Sequence, residues 1–435
     1  MIREISRRKC LRLWLCKPEY MERTKWENRF VLLRFWKKNY MMFLKDLKRF
    51  KMERLYDKLK AYSESDFYAF HMPGHKRNKT LLGIELPYDL DITEIDGFDD
   101  LHHADGILKE EQERAARVFG AEESHFLVNG STAGILSAVM GCTHRGDKIL
   151  VARHCHKSIY HAIYMNGLVP RYVYPEFDIS MHMNGEISKE DVAKALAAEP
   201  DIKAVVIVSP NYDGVVSDVK GIAEVAHSYR IPLIVDEAHG PHFGFHPAFP
   251  GRANDLGADV VINSLHKTLP SLTQTAILHI NGKLANRRRI KKYLDMLQSS
   301  SPSYIFMASL DACVDFVDGK CEEAFELYVE RLQKFREELK PLQHLQILRT
   351  EHYDISKVVI STANANITSP ELADRLRKEY HLEMEMTGGT YVLAMTTVAD
   401  TQEGLDRLKS ALLEIDDQLE AKTCLLYTSD AADEL

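Results

Sequence analysis

Five short apolar runs in the middle of the chain constrain its fold more than any other feature of the sequence. Segments with helical spacing separate these runs, which lie at 148–152, 204–208, 231–235, 259–262 and 275–280. Because consecutive positions are apolar, both faces of each strand should be buried, as in parallel strands covered by helices. The sequence therefore predicts an α/β fold with a mostly parallel, doubly wound sheet.

Two of the runs end in residues that can carry chemistry. One leads into Ser264-Leu-His266-Lys267, and another ends on Asp236-Glu-Ala-His239. A strand-end lysine and a strand-end acid suit pyridoxal 5'-phosphate, because the lysine amine can hold the cofactor aldehyde and the acid keeps the pyridine nitrogen protonated. Ser264 and His266 can donate hydrogen bonds to the phosphate. A lone lysine after a strand is usually a surface residue, so the prediction depends on further elements upstream.

Two upstream segments could supply phosphate and ring contacts. A strand breaks at Asn129-Gly130 and enters a helix whose first turn contains Ser131 and Thr132. Free amides and the helix dipole make such a terminus an anion site, although an ordinary Ser/Thr cap has the same sequence. His156 follows another strand, and its flat ring could lie on the cofactor ring; the alternative is an ordinary loop histidine. Four such elements in this order favour the cofactor site.

The same segments also carry a family resemblance. They are Phe70-His-Met-Pro-Gly-His-Lys76, Asp91-Ile-Thr-Glu-Ile-Asp-Gly-Phe-Asp-Asp-Leu101, Asn129-Gly-Ser-Thr132, His154-Cys-His-Lys-Ser158, Asp236-Glu-Ala-His239 and Ser264-Leu-His-Lys267. Together they resemble the Orn/Lys/Arg decarboxylase family, in its short bacterial, arginine decarboxylase-like form without an N-terminal wing domain. The resemblance covers roughly residues 53 to 420. It implies a fold type I pyridoxal phosphate enzyme with active sites shared across a homodimer or a higher homo-oligomer.

The resemblance also implies roles for single residues. Lys267, Asp236 and His156 would be catalytic, with His156 stacked on one face of the cofactor ring. Ala238 would support the opposite face, and His239 would belong to the same wall. Two acids are candidates for the substrate, and they are Glu385, in a stretch like the family's small-domain acidic motif, and Asp96, in the acidic run 89–100. The acidic run could attract a cationic substrate, and the alternative is an ordinary solvated loop. After the strand at 204–208, either Asn211 or Tyr212 could contact the cofactor ring oxygen.

The pattern divides the chain into five parts, which are a basic extension (1–52), an N-terminal arm (53–101), a large cofactor-binding domain (102–304), a linking helix with a small α+β domain (305–420) and a tail (421–435). The extension has 16 basic residues against 5 acidic ones, so the rest of the chain is strongly acidic. We expect translated upstream sequence there, with Met52 as the natural start, or else a membrane- or nucleic-acid-binding arm or a helical extension. The tail is expected to be foreign or disordered.

The composition of the chain indicates its compartment and the partners it is expected to lack. Seven cysteines lie scattered among 435 residues without short-spaced pairs, which predicts reduced thiols, a cytoplasmic protein and no metal site. No apolar run approaches the length needed to span a bilayer, so we expect a soluble protein without a membrane partner. The acidic main body makes nucleic acid a poor partner.

The predicted activity is decarboxylation of arginine, lysine or ornithine to carbon dioxide and an amine of the polyamine pathway, a carbon–carbon lyase reaction, with arginine preferred. Cofactor machinery alone does not specify which bond breaks, so an aminotransferase or another lyase on the same fold is an alternative. An inactive, truncated family member is a second alternative.

Overall fold

The computed structural model describes residues 53–179 and 182–422, and the predictions for 1–52 and 423–435 lie outside these residues. The strands are β1 (Glu123–Leu127), β2 (Lys148–Ala152), β3 (Val169–Val173), β4 (Phe177–Asp178), β5 (Met183–Asn184), β6 (Val205–Val208), β7 (Leu233–Asp236), β8 (Val260–Asn263), β9 (Ala276–Ile280), β10 (Gln346–Leu348), β11 (Lys357–Ser361), β12 (Met386–Thr387) and β13 (Tyr391–Met395). The helices are α1 (Leu55–Ser63), α2 (Ile107–Phe119), α3 (Gly130–Cys142), α4 (Lys157–Asn166), α5 (Lys189–Ala198), α6 (Val219–Ser228), α7 (Leu265–Thr268), α8 (Arg287–Leu297), α9 (Tyr304–Val317), α10 (Glu322–Glu338), α11 (Ser369–Tyr380) and α12 (Gln402–Asp416).

The large sheet has seven strands in the order β1-β9-β8-β7-β6-β2-β3. The neighbours from β8 to β3 are all parallel, which confirms the mostly parallel sheet. The run at 275–280 was grouped with the parallel strands, and this was wrong, because β9 is antiparallel to both β1 and β8. Its side chains are buried on both faces whatever its direction, so apolar periodicity could not reveal the reversal.

Successive residues of a strand enter opposite hydrophobic cores. In β6, Val206 packs in the cluster formed with α3 and α8, whereas Val205 and Ile207 pack in the cluster formed with α5 and α6. Strand side chains alternate between faces, so a strand between two helical layers must be apolar at every position. This burial holds the strand ends rigidly at one edge of the sheet.

Helix α3 lies close to α8 because of a glycine. A Cβ atom at Gly141 would lie 2.8 Å from the Cα atom and 2.9 Å from the backbone nitrogen of Ile290. A larger residue would push α8 away, so Gly141 sets the distance between α3 and α8. The same helix presents Ser131 and Thr132 at its other end.

The remaining described chain forms an irregular arm and a smaller α+β region. After α1 the arm is irregular until a 3₁₀ turn at Leu101–His103. The predicted long helical stretch from 305 to 340 is two helices, α9 and α10, and an antiparallel sheet of order β10-β11-β13-β12 follows. Ala421, the first residue of the predicted tail, forms a β-bridge with Ala365 and so belongs to this region.

Candidate active site

Asp236 and Lys267 lie together because β7 and β8 are adjacent parallel strands. Asp236 ends β7 opposite Ile262 of β8, and Lys267 lies in the single helical turn α7 that follows β8. Carboxyl ends of parallel strands meet at one edge of the sheet, which is where ligands bind in open α/β sheets. The structure thus brings the two central predicted residues to the same edge.

Asp236 is almost completely buried, and burial raises the pKa of its carboxyl group to about 6, although the positive charge of Lys267 and the amide of Ala238 oppose that rise. The Ala238 N–H donates to Oδ1 at 3.1 Å. A carboxylate in this position is ionised more readily when a cation lies beside it. A protonated pyridine nitrogen is such a cation, so the environment of Asp236 fits the predicted cofactor.

His239 connects Lys267 to a residue that the sequence analysis missed. Its Nε2 lies 2.9 Å from Nζ of Lys267, and its Nδ1 lies 3.2 Å from Nζ of Lys357, the first residue of β11. Burial, followed by the charges of Lys357 and Lys267, lowers the pKa of His239 well below its usual range. His239 is therefore a neutral imidazole between two amines. The sequence predicted His239 as part of the wall beside the cofactor ring, and in the structure it contacts Lys267 directly.

The predicted phosphate end is built around Gly130. Gly130 has φ +72, a conformation that favours glycine, and its N–H donates to the Gln274 carbonyl at 2.9 Å. Asn129 is the N-cap of α3 and makes no side-chain capping bond. Half-buried Ser131 and exposed Thr132 lie in the first turn. The two hydroxyls in the first turn of α3 and the positive end of the helix dipole can therefore bind an anion.

Ser264 provides the observation that tests whether a phosphate fits. Its side chain is completely buried, and among the described residues its hydroxyl has no hydrogen-bond partner. An unsatisfied buried hydroxyl costs about 1–3 kcal/mol, so a partner is expected at this point. A phosphate oxygen would satisfy it. The residues present therefore fit pyridoxal phosphate at the edge formed by α3, β7 and β8.

His156 and His266 lie near this edge. His156 caps α4, and its Nδ1 accepts a hydrogen bond from the Ser158 N–H at 3.2 Å, so a neutral ring carries its proton on Nε2. Burial, followed by the charge of Lys267, lowers the pKa of both histidines. Stacking by His156 and phosphate binding by His266 stay predictions.

The small-domain acid Glu385 reaches the site, but Asp96 does not. Glu385 accepts a hydrogen bond from the hydroxyl of Tyr212, and its charge acts on both Lys267 and Lys357. Asp96 instead lines a pocket of the N-terminal arm with other acids of the predicted run. Part of that run is structural, because Asp99 accepts from backbone amides at the start of α2.

The segment after β6 is held by contacts within the protein. The Asn211 side-chain oxygen accepts from the amides of Gly214 and Val215, and its nitrogen donates to the Asn184 carbonyl. Its hydrogen-bonding groups are therefore committed to the backbone. The Tyr212 ring lies 4.7 Å from the His239 ring while its hydroxyl contacts Glu385.

A second buried histidine joins the lysine turn to the small domain. His242 lies 3.0 Å from the hydroxyl of Thr268 through Nδ1 and 3.1 Å from Asp354 through Nε2. His239 and His242 follow β7 three positions apart, and each connects α7 to the segment that ends at Lys357. In sequence, Asp354 and Lys357 flank a strand start and look like ordinary surface charges, which is why they were not singled out.

A family model and several curated proteins match this chain. The model described as Orn/Lys/Arg decarboxylase, major domain, matches residues 53–363. The arginine decarboxylase of Bacillus subtilis is 34% identical over 380 residues, which are 84% of this chain and 77% of that enzyme. Lysine decarboxylase LdcA of Pseudomonas aeruginosa is 29% identical over 286 residues, which are 58% of this chain and 38% of that enzyme.

Solved structures share the fold. The constitutive lysine decarboxylase of Escherichia coli superposes with a TM-score of 0.73 at 22% identity, covering 90% of this chain and 63% of that chain. Alanine–glyoxylate aminotransferase from Nostoc sp. superposes at 0.58 and 15% identity, covering 71% of this chain and 86% of that chain. The chain thus spans less than two thirds of the lysine decarboxylase, and the fold is that of fold type I pyridoxal phosphate enzymes.

Proposed function

Because the chain belongs to the Orn/Lys/Arg decarboxylase family, we propose that it removes the α-carboxylate of a basic amino acid with pyridoxal 5'-phosphate, and that arginine is its preferred substrate. The observation that carries this proposal is the grouping of Lys267, His239 and buried Asp236 at one sheet edge, beside the unsatisfied Ser264 hydroxyl. Arginine is preferred because relatives named arginine decarboxylase are 33–34% identical over at least 83% of the chain.

Five residues would hold the cofactor. Lys267 would bind its aldehyde carbon, Asp236 its ring nitrogen, and Ser131, Thr132 and Ser264 its phosphate. When bound, pyridoxal phosphate supplies an electron sink for the charge that remains on Cα as carbon dioxide leaves. The buried carboxylate of Asp236 would hold a proton on the ring nitrogen and would so favour that charge transfer.

Lys267 and His239 would manage the protons of the reaction. After decarboxylation, Cα of the substrate must be protonated. The Lys267 amine is the candidate donor, because His239 lies within hydrogen-bond distance of it and could return a proton to it. His156, the N-cap of α4, would limit the access of water to the face of the cofactor ring on which it is predicted to stack. Which bond breaks depends on the orientation in which these residues hold the substrate.

Glu385 is the proposed partner of the substrate's distal cation. Replacing it, as Glu385→Gln, should raise the KM for arginine roughly tenfold to a hundredfold, because a charge-assisted hydrogen bond contributes about 1.5–3 kcal/mol. The matched control is Glu383→Gln, which removes the same charge from an exposed acid two positions away. Steady-state kinetics on both variants check this. Equal KM values for the two variants would assign the distal group elsewhere.

The aminotransferase alternative would need an arginine to anchor the substrate carboxylate. The candidates on α11 have other partners, since Arg375 bonds Glu379 and Gln418, and Arg377 bonds Asp374. These contacts occupy both guanidinium groups and favour decarboxylation over amino-group exchange.

Substrate comparison tests the proposal directly. The purified full chain, loaded with pyridoxal phosphate, should release one carbon dioxide per arginine consumed and form agmatine, without a keto acid. We expect kcat/KM for arginine to exceed that for lysine or ornithine, because a guanidinium and an ammonium differ in shape and in hydrogen bonding. Exchange of the amino group onto a keto acid, without carbon dioxide, would establish the aminotransferase instead.

A pair of chains is the proposed working unit. The N-terminal arm exposes large apolar side chains, including Phe67, Tyr68, Phe70 and Leu81. Several exposed apolar side chains in one arm are typical of a docking surface, and a second copy sharing the active site is the occupant we propose. In the described part of the chain, no helix is long and apolar enough to cross a membrane. The cytoplasm is the proposed compartment, since the four described cysteines are free thiols.

A further inference from the structure

Gln274, in the loop between α7 and β9, is an exposed residue with an unusual backbone conformation, since its φ is +82. Residues other than glycine rarely adopt this left-handed region, because the Cβ atom then crowds the backbone. Glycine would occupy it without strain. A strained residue persists where the surrounding contacts outweigh the strain, so the contacts of Gln274 indicate what its conformation serves.

Both the backbone and the side chain of Gln274 bind the turn that precedes α3. Its carbonyl accepts the Gly130 N–H at 2.9 Å, and its side-chain Nε2 donates to the Val128 carbonyl at 2.6 Å. The direction of the second contact is fixed, because a backbone carbonyl can only accept. Gln274 thus contacts the residues on both sides of Asn129, where the chain passes from β1 to α3.

A second glutamine and its neighbour hold the same turn. Gln298 is buried, and its Oε1 accepts the Val128 N–H at 2.8 Å. The Asn129 side chain accepts the Ser299 N–H at 3.2 Å instead of capping α3. The turn is therefore fixed by contacts from Gln274 and from the chain that follows α8.

These contacts decide which donors of α3 are left for an anion. The first amides of a helix have no partner within the helix, and Gln274 already binds the Gly130 amide. The amides and hydroxyls of Ser131 and Thr132 are the next donors along the helix. The buried Ser264 hydroxyl, which has no hydrogen-bond partner among the described residues, is independent evidence for an anion at this edge.

The loop that carries Gln274 also starts beside Lys267. Only residues 269–273 separate α7 from Gln274. Ser309 on α9 anchors this loop, because its hydroxyl accepts the Leu272 N–H at 2.8 Å. One anchored segment therefore carries the proposed cofactor lysine at its start and the residue that holds the phosphate turn at its end.

We propose that Gln274 is a positioning residue for cofactor binding, because it holds residues 128–130 in the conformation in which the first turn of α3 binds a phosphate group. Gln274 acts through the turn and not by contact with the phosphate. This inference rests on the proposed function in one respect, since the phosphate is that of pyridoxal 5'-phosphate. The effect of Gln274 should be confined to ligands that carry a phosphate group.

Titration with a ligand pair that differs only in the phosphate tests the proposal. The cofactor-free full chain is titrated by calorimetry with pyridoxine 5'-phosphate and with pyridoxine, neither of which has an aldehyde to react with a lysine. In Gln274→Met the Kd for the phosphate ester should rise about fivefold, which corresponds to one hydrogen bond of about 1 kcal/mol. The Kd for pyridoxine should change by less than about twofold.

Two further variants separate the side chain from the backbone and supply the control. Gln274→Gly keeps the carbonyl that accepts the Gly130 N–H and adopts a positive φ without strain, so it should show the same fivefold rise from loss of the side-chain contact alone. The control Gln333→Met removes an exposed glutamine from α10 and should leave both Kd values unchanged.

Circular dichroism decides whether Gln274→Met is folded, and Gln274→Gly serves as the test variant if it is not. An unchanged Kd for the phosphate ester, or equal rises for both ligands, overturns the proposal. A wild-type chain that binds the phosphate ester no more tightly than pyridoxine also overturns it, because the turn would then hold no phosphate site.

These titrations do not depend on decarboxylation. A phosphate-specific loss of affinity in Gln274→Met, in a protein that decarboxylates no basic amino acid, would support the role of Gln274 and refute the proposed function. Decarboxylase activity together with an unchanged Kd for the phosphate ester in folded Gln274→Met would do the reverse.

Discussion

Lys267→Ala is expected to lower decarboxylation by at least about 10⁴-fold, because its amine is the group proposed both to bind the cofactor aldehyde and to return a proton. His239 would lose its contact with Nζ while Asp236 stayed buried. The loaded protein should also lose its visible absorbance band. Carbon dioxide release and the absorbance spectrum measure the two effects separately.

The matched control is Lys283→Ala, which removes a lysine from the exposed turn between β9 and α8. It should retain both the band and the activity. Retention of more than a tenth of the activity by folded Lys267→Ala would show that another amine holds the cofactor.

Asp236→Asn is expected to lower kcat about 10²- to 10³-fold and, at the same time, to stabilise the cofactor-free protein. With the cofactor bound, the carboxylate would pair with the protonated ring nitrogen, whereas without that cation it is a buried charge. Asparagine keeps an oxygen to accept from the Ala238 N–H, so the loss of activity should not come with loss of the local fold.

The stability change should depend on pH in a defined direction. Burial raises the pKa of Asp236 from 3.8 to about 6, so the folded state binds the proton more tightly than the unfolded state. Proton binding by Asp236 stabilises the folded state fully below pH 3.8. This stabilisation is lost as the pH rises through 6, a difference of about 3 kcal/mol in the free energy of unfolding. The variant should therefore exceed the wild type most above pH 6.

Urea unfolding of both cofactor-free proteins at pH 4.5 and pH 7.5 measures this difference. A variant that is less stable than the wild type at pH 7.5 would contradict the account of Asp236 as a charge that is costly until a cation lies beside it. Adding pyridoxal phosphate should stabilise the wild type more than the variant.

The sheet and its edge could be read from the sequence because their causes are local. Consecutive apolar residues at 204–208 and 231–235 are what two-sided burial requires. The start of α3 could be predicted because Asn129-Gly130 interrupts the preceding strand. The direction of β9 could not be read, since an apolar run is symmetrical and its pairing depends on partners distant in sequence.

The deeper part of the site was inaccessible for a related reason. Lys357 and Asp354 are buried only because the small domain packs against the turn after β7, and nothing in their local sequence distinguishes them from exposed charges. Asn211, in contrast, was weighed as a cofactor contact from its place after a strand, but the structure commits it to the backbone of its own loop. The position of Asn211 in the chain indicated its neighbourhood but not its hydrogen-bond partners.

If Lys267 binds the cofactor, chemical reduction should fix the cofactor on that residue. The full chain is loaded with pyridoxal phosphate, reduced with borohydride, digested and analysed by mass spectrometry. We expect a pyridoxyl group on the peptide containing Lys267, in an amount that falls when arginine is added before reduction. A pyridoxyl group on Lys357, the other buried amine beside His239, or on no lysine at all, would contradict it.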